Sequence, residues 1–222
     1  MTRVIAGAAG GRRLAVPPGN GTRPTSDRAR EGLFASVVSE LGDLGRLRVM
    51  DLYAGSGALG LEALSRGAAS VLLVEADARA AAVVKANVKA LGLPGATVAT
   101  DRVERLLARP PGDRRDQPAD GGYDLVLADP PYAVTDEGVA RVLTLLADGW
   151  LAAGALVVVE RATRSGPFGW PPGYAAGKSR RYGEATFWYG WYGSGAEAGQ
   201  AGQSRAAGPG PSLDAPHRAH EE

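Results

Sequence analysis

Hydrophobic and polar segments alternate along most of the chain in a strand-helix-strand order. Short continuous apolar runs predict buried strands, and apolar residues spaced three or four apart predict helices between them. The predicted strands cover residues 48–53, 71–75, 97–100, 123–128 and 155–160. The predicted helices cover residues 26–41 and 59–66, an alanine-rich segment around Asn87, and residues 139–146. Alternation of this kind predicts a parallel sheet with helices on both faces.

Both ends of this core carry further predicted strands. Residues 4–7 and 13–16 flank a glycine-rich turn and predict a β-hairpin, so residues 1–22 are interpreted as a hairpin extension. Residues 185–192 are short and rich in aromatic side chains, which is typical of a last strand that joins the sheet antiparallel.

Composition indicates one catalytic domain, expected at residues 23–193, because the 222-residue chain suits one full hydrophobic core. Residues 109–122 are interpreted as a polar surface loop. From Ser194 onward Gly, Ala, Pro and Ser dominate without an apolar period, so residues 194–222 are predicted to be a disordered tail. No apolar run suits a membrane span and no signal segment is present, so the cytoplasm is the expected location.

The strand at 123–128 is followed directly by Asp129-Pro130-Pro131-Tyr132. An exocyclic base amine is a weak nucleophile because its lone pair is delocalised into the ring, so a catalyst must hold its N–H groups with acceptors. Asp129 and the Pro130 carbonyl could provide those acceptors on a backbone that two prolines make stiff. Tyr132 could stack on the base. The segment therefore suggests methylation of a base amine, although a simple proline turn has the same composition.

The absence of Cys and the placement of the two His exclude whole reaction classes. The chain has no Cys, which rules out a thiolate nucleophile, a covalent cysteine adduct of a pyrimidine and a cysteine zinc site. The only histidines, His217 and His220, lie in the predicted tail, so the core has no histidine base or histidine ligand. Carboxylates, backbone groups and a cofactor must carry the chemistry, and no metal is expected.

Positive charge is concentrated near the N-terminus. The whole chain has a net charge of only +1, yet residues 1–35 carry six Arg against two acidic residues. This asymmetry predicts a phosphate-facing patch, which residues 178–182 could extend. The alternative is a solvated surface on which Arg28 and Glu31 pair along one helix.

A glycine-rich turn follows the strand at 48–53 and matches the dinucleotide pattern G-x-G-x-x-G, with Glu75 downstream. This pattern is compatible with two cofactors, a nicotinamide dinucleotide and S-adenosylmethionine. Asp51 at the strand end would repel a pyrophosphate but attract an amino group, which favours S-adenosylmethionine. Glu75 could bind the ribose hydroxyls and Asp101 the adenine amine. The candidate cofactor-binding residues are Asp51, Tyr53, Ala54, Gly55, Ser56, Gly57, Glu75 and Asp101.

Over residues 3–192 the chain resembles the bacterial 16S ribosomal RNA guanine-N2 methyltransferases of the small-subunit methyltransferase D type. The matching segments are Arg3-Val4-Ile5-Ala6-Gly7, Gly11-Arg12-Arg13-Leu14, Thr22-Arg23-Pro24-Thr25-Ser26-Asp27-Arg28-Ala29-Arg30-Glu31, Asp51-Leu52-Tyr53-Ala54-Gly55-Ser56-Gly57, Asp129-Pro130-Pro131-Tyr132 and Arg181-Tyr182-Gly183-Glu184. The segment around Arg23 is specific to this family, whereas the glycine turn and residues 129–132 are common to many N-methyltransferases. Here Ala185 separates Glu184 from Thr186, which the family pattern places directly after the acid.

The resemblance implies a Rossmann-like class I methyltransferase fold, α/β with a mostly parallel seven-stranded sheet. It implies transfer from S-adenosylmethionine to the N2 amine of guanine 966, in the small subunit or an assembly intermediate. The implied enzyme is a monomer with no membrane or DNA partner. Asp129, Pro130, Pro131 and Tyr132 are the implied catalytic residues. The expected RNA-binding residues are Arg12, Arg13, Arg23, Thr25, Arg28 and Arg30.

Two other functions remain open at this point. An adenine-N6 methyltransferase acting on DNA or RNA would need the same acceptors at Asp129, but the chain is short for a DNA enzyme with its own target-recognition region. An RNA-binding assembly factor without catalysis would have little use for Asp51, Glu75 and Asp129.

Overall fold

A computed structural model of the chain describes residues 2–18, 26–118 and 121–193; the predicted tail lies outside these ranges. The strands are β1 (Thr2–Arg3), β2 (Arg13–Leu14), β3 (Arg48–Leu52), β4 (Ser70–Glu75), β5 (Ala96–Thr100), β6 (Tyr123–Ala128), β7 (Leu151–Ala162), β8 (Tyr174–Tyr182) and β9 (Ala185–Tyr192). The helices are α1 (Asp27–Leu41), α2 (Ala58–Ser65), α3 (Ala78–Leu91), α4 (Val103–Leu107) and α5 (Asp136–Ala147), with 3-10 turns at Pro111–Asp113 and Thr163–Ser165. None of the described helices is long and apolar enough to cross a bilayer.

Strands β3 to β9 form one sheet of seven strands in the order β5-β4-β3-β6-β7-β9-β8. The strands from β5 to β7 are parallel, and β9 runs antiparallel to both of its neighbours. The predicted fold class is thereby confirmed. The chain order reverses between β3 and β6, and ligands of open α/β sheets bind outside the carboxyl ends of the strands at such a switch point. Asp51 and Asp129 both lie at this edge.

Strand β8 is not predicted by the hydrophobic pattern. It forms the outer edge of the sheet, and most of its residues are exposed or half-buried. Its pairing with β9 is interrupted between Ala176 and Ser179. An irregular, charged edge strand lacks the strict alternation of a half-buried strand, and these same features discourage pairing with a second chain.

The sheet is covered on both faces, as the sequence predicts. Helices α1, α2 and α3 pack on one face with Leu125 and Leu127, and helices α4 and α5 pack on the other with Val126 and Ala128. Helix α1 begins after Ser26, whose hydroxyl accepts the N–H of Ala29. The sequence does not predict α4, which is only five residues long.

The N-terminal hairpin is present, but its first strand lies before the predicted residues 4–7 and its second strand is shorter than the predicted residues 13–16. Its strands cover Thr2–Arg3 and Arg13–Leu14, because the N–H groups of Ile5 and Ala6 leave the ladder and donate to the carboxylate of Glu62, at 2.6 and 3.1 Å. Glu62 lies fully buried in α2 and also pairs with Arg66. The extension is therefore anchored on the helix that follows the glycine turn.

Residues 109–118, 121 and 122, the described part of the segment predicted as a polar surface loop, contain one buried charge. Arg114 is 7% exposed, stacks on Trp150 at 5.0 Å, and donates to the carbonyls of Arg109 and Asp148. The prediction of a surface position is wrong for Arg114. Its guanidinium packs against Trp150, in the core covered by α4 and α5, instead of pointing to solvent.

Candidate active site

Asp51, the penultimate residue of the central strand β3, has a buried carboxylate. It is 1% exposed and accepts the N–H of Gly60 at 2.8 Å. Burial raises the pKa of Asp51 to about 7; the hydrogen bond from Gly60 opposes this rise and the charge of Glu75 adds to it. A cationic group bound at this position would favour the ionised carboxylate.

The glycine turn brings backbone close to Asp51. Gly55 and Gly57 have φ of 58° and 79°, and Tyr53 also has a positive φ, 64°, which is unusual for an aromatic residue. The Tyr53 hydroxyl donates to Glu104 at 3.4 Å. A strained, anchored turn of this kind holds its N–H groups in a fixed arrangement near a ligand.

Gly60 allows α2 to lie directly against β3 and β4. A Cβ at this position would come within 2.8 Å of Val71 Cγ1 and 3.0 Å of Asp51 Oδ2. We expect Gly60→Ala to lower the free energy of unfolding by about 1–3 kcal/mol and to weaken cofactor binding, because α2 must move away from Asp51. Urea unfolding and calorimetric titration would measure both. Gly112→Ala is the control, since a Cβ there has no neighbour within 4 Å; equal stability of the two variants would contradict the prediction.

Glu75 and Asp101 follow the next two strands, at the same edge. The carboxylate of Glu75 accepts the N–H groups of Gly55 and Asp77, each at 2.8 Å, so it also fixes the turn. Asp101 accepts from Arg105, from Arg109 at 2.6 Å and from the N–H of Arg102. Burial alone would raise the pKa of Asp101, but its hydrogen bonds to the two arginines lower it. A carboxylate has about four acceptor positions, so each retains capacity for a ligand.

Residues Asp129 to Tyr132 lie across the switch point from Asp51. Asp129 is half-buried, Pro130 is buried, and the carbonyl of Pro131 accepts the N–H of Val134 in a tight turn. Tyr132 is 64% exposed, and the guanidinium of Arg164 lies 5.7 Å from its ring centroid. One face of the ring therefore contacts a cation, and because most of the side chain is exposed, a planar ligand can stack on the ring.

An open cleft of about 680 Å³ lies beside this segment, between helix α1 and the β8–β9 turn. It is lined by Ser26, Arg28, Ala29, Tyr132, Glu160, Arg181, Tyr182, Gly183, Glu184 and Ala185. A smaller pocket that includes Asp129, Pro130, Tyr132 and Glu160 joins it to the carboxyl end of β6. A planar group that enters the cleft can thus reach the acceptors at Asp129.

The predicted RNA-binding residues separate into groups. Arg28 lines the cleft and Arg13 is exposed on β2. Arg12 donates to the carbonyls of Ala90 and Leu91 at the end of α3, at the opposite edge of the sheet. Arg30 is fully buried and bonded to Asp27. Arg23 and Thr25 lie outside the described residues. The structure therefore brings Arg28 to the cleft but not Arg12 or Arg30.

Sequence reasoning missed a residue that joins the extension to the cofactor turn. Asn87, in α3, exchanges two hydrogen bonds of 2.9 Å with the backbone of Ala15 and donates to the carbonyl of Ser56, also at 2.9 Å. It is 4% exposed. The only signal in the sequence was a polar residue within an alanine-rich helix.

The arrangement around Asp51 fits S-adenosylmethionine. A buried carboxylate at the strand end suits the ammonium of the amino-acid moiety, and Glu75 and Asp101 follow in the order of ribose and adenine along the sheet edge. A dinucleotide would bring its pyrophosphate against the carboxylate of Asp51, where burial makes repulsion strong.

Comparisons with known proteins identify the family of the chain. A family profile described as "Conserved hypothetical protein 95" matches residues 2–191. Ribosomal RNA small subunit methyltransferase D of Escherichia coli K12 is 37% identical over 166 residues, which cover 74% of this chain and 76% of that protein. The protein of the same name from Haemophilus influenzae is 36% identical over 160 residues, covering 71% and 77%.

Solved structures give the same result. A protein of Escherichia coli described as a methyltransferase aligns with a TM-score of 0.71 at 32% identity, covering 86% of this chain and 97% of its own. A Thermus thermophilus protein aligns with a TM-score of 0.68 at 33% identity, covering 85% and 98%. With the profile match over nearly all described residues, this similarity shows that the chain belongs to the family of ribosomal RNA small subunit methyltransferase D, whose cofactor is S-adenosylmethionine.

Proposed function

We propose that the protein transfers a methyl group from S-adenosylmethionine to the N2 amine of a guanine, at position 966, of 16S ribosomal RNA. The observation that carries this proposal is the cleft beside Asp129, which combines an exposed aromatic ring, arginine side chains and acceptors at a strand end. The relatives' name, which specifies small-subunit ribosomal RNA, supports the substrate class. The reaction would take place in the cytoplasm, on the subunit or an assembly intermediate.

The residues of the site act on the amine by binding and orientation. A guanine flipped out of its RNA stacks on Tyr132, and Asp129 and the Pro130 carbonyl accept the two N2 hydrogens. The amine is then held with its lone pair out of the plane of the base. S-adenosylmethionine, when bound, would supply an electrophilic methyl group on a sulfonium. As the amine takes this methyl group, the carbon–sulfur bond breaks, the neutral thioether leaves, and the amine loses one proton to Asp129 or to water. Because β3 and β6 are neighbouring strands, the base and the cofactor turn meet at one edge, and this proximity accounts for much of the rate.

Arg28 provides a phosphate contact in this proposal, since it lines the cleft on α1. We expect Arg28→Ala to weaken binding to small subunits and to reduce the slope of log K against log salt by about 0.7–0.9, the value for one phosphate contact. Filter binding at several salt concentrations would measure the slope. Arg46→Ala, an exposed arginine before β3 at the opposite edge, is the control; equal slopes for both variants would exclude Arg28 as a contact.

The direct test uses small subunits from a strain that lacks this methyltransferase. The protein is incubated with them and labelled S-adenosylmethionine, and the RNA is digested to nucleosides. N2-methylguanosine at position 966 is the expected product. N6-methyladenosine would instead show that the same acceptors hold an adenine amine. Failure of the protein to bind S-adenosylmethionine, judged against Asp51→Ala, would favour the non-catalytic assembly factor.

A further inference from the structure

A second carboxylate, Glu160, lies beside Asp129 at the end of the neighbouring strand. Strands β6 and β7 are parallel and align Leu127 with Val158 and Ala128 with Val159. One step further along, the same register aligns Asp129 with Glu160. Both residues line the small pocket at the carboxyl end of β6. Neighbouring strands are about 4.8 Å apart, a distance that one base edge can bridge with two hydrogen bonds.

The two carboxylates also share one face of the sheet. Leu127 and Val158 pack toward α1, and because side chains alternate along a strand, Asp129 and Glu160 lie on this side too. Glu160 lines the larger cleft together with Tyr132 and Arg28. The base that stacks on Tyr132 therefore lies between Glu160 and the arginine-bearing helix.

Glu160 is less exposed than Glu184, the other acid of the cleft. Glu160 is half-buried, and its backbone lies within the sheet opposite Phe187 of β9. Glu184 is exposed on the turn between β8 and β9. A half-buried carboxylate at the end of an inner strand has limited access to water, a condition under which one hydrogen bond discriminates between ligands.

The edges of the purine bases differ at the atom next to the reactive amine. Guanine presents N1–H and the N2 amine side by side, both as donors. Adenine presents its N6 amine beside N1, which is an acceptor. An ionised carboxylate can only accept hydrogen bonds, so it attracts the guanine edge and repels a bare N1 lone pair.

We propose, on the basis of the proposed function, that Glu160 accepts the N1–H of the target guanine and so determines specificity. Asp129 and the Pro130 carbonyl hold the reacting N2 amine, and Glu160 fixes the rotation of the base around it. A base whose N1 is an acceptor would place that lone pair against the carboxylate of Glu160. The repulsion lowers the affinity for such a base. In this protein the residue thereby favours guanine-N2 over adenine-N6 methylation.

The test compares guanine with 2-aminopurine, which keeps the N2 amine but has an acceptor at N1. Small subunits are assembled from ligated 16S RNA that carries either base at the target position. The full-length wild-type protein and the Glu160→Gln variant are compared by kcat/KM for methyl transfer. We expect Glu160→Gln to lose about 10- to 100-fold on guanine. Its preference for guanine over 2-aminopurine should fall at least about tenfold, because the glutamine amide can donate to N1.

Three controls make each outcome decisive. Affinity for S-adenosylmethionine shows that Glu160→Gln is folded, and Glu160→Asp, which keeps the charge, should retain the guanine preference even where its rate falls. Glu137→Gln removes an exposed acid of α5 that lines neither the cleft nor the small pocket, and should change neither value. An unchanged preference in Glu160→Gln overturns the role of Glu160. Failure of the wild-type protein to methylate guanine overturns the proposed function itself.

Discussion

Asp129→Asn is expected to lower the rate of methyl transfer about 100- to 1000-fold, the loss typical of removing one group that acts on the reacting atoms. Asparagine has the same size, but half of its amide is a donor. Its oxygen can still accept one N–H of the target amine, but the neutral amide cannot stabilise the positive charge that develops on the amine as the methyl group is transferred. Because Asp129 lies across the switch point from Asp51, affinity for S-adenosylmethionine should stay almost unchanged.

Single-turnover transfer to unmethylated small subunits, with calorimetric titration of S-adenosylmethionine, would separate these two effects. Asp113→Asn is a suitable control because Asp113 is exposed in a 3-10 turn on the far side of α4. Full activity of Asp129→Asn would show that methyl transfer does not need the charge of Asp129.

The central strands and the site at their ends could be predicted because two independent signals coincide there. Strands β4 and β6 are buried on both faces and therefore read as continuous apolar runs. An acid directly after such a run, as at Asp129, must lie at the carboxyl edge of the sheet. The identity of the residue and its position along the chain together fix its place.

The roles of individual arginines could not be predicted, because the sequence shows only that a residue is Arg and not what its guanidinium contacts. Arg12 binds the last carbonyls of α3, Arg30 is buried against Asp27, and Arg28 opens onto the cleft. Which of them meets solvent depends on the rotation of α1 and on how the extension packs. Both are long-range properties that charge patterning does not contain.

Buried polar anchors were missed for a related reason. Glu62 and Asn87 stand in helices, where a polar residue normally indicates the solvent face. Each instead satisfies backbone groups of the N-terminal extension, which lies more than fifty residues earlier in the chain. The extension thus contacts both helices that flank the cofactor turn, and its contribution is visible only in three dimensions.

Asp51→Asn should reduce affinity for S-adenosylmethionine by about 2–4 kcal/mol, because it removes the buried charge that we propose pairs with the ammonium of the cofactor. The asparagine carbonyl can still accept the N–H of Gly60, so the turn should keep its conformation. Calorimetric titration would measure the loss, with Asp113→Asn as the control. Unchanged affinity would place the cofactor's amino group elsewhere.

The same variant should change how stability depends on pH. Burial raises the pKa of Asp51 from 3.8 to about 7, so the folded protein keeps a proton that the unfolded chain releases between these values. Unfolding therefore becomes easier as pH rises from about 4 to 7, by up to about 1.4 kcal/mol per pH unit. Asp51→Asn has no such proton and should lose this component of the slope in urea unfolding of the cofactor-free protein.

Cofactor affinity should show the opposite trend with pH. Below pH 7 most Asp51 is protonated and neutral, so binding of the ammonium must first ionise it, which costs up to about tenfold in affinity per pH unit. Wild-type affinity should therefore rise from pH 5.5 to 7, in the range where stability falls, whereas Asp51→Asn should bind weakly and nearly independently of pH. Parallel pH profiles for the two proteins would show that a group other than Asp51 controls binding. If stability and affinity change with pH in opposite directions, and Asp51→Asn abolishes both changes, one buried carboxylate controls both. Its ionisation lowers the free energy of unfolding of the cofactor-free protein at neutral pH, and the positive charge of the bound cofactor offsets this loss.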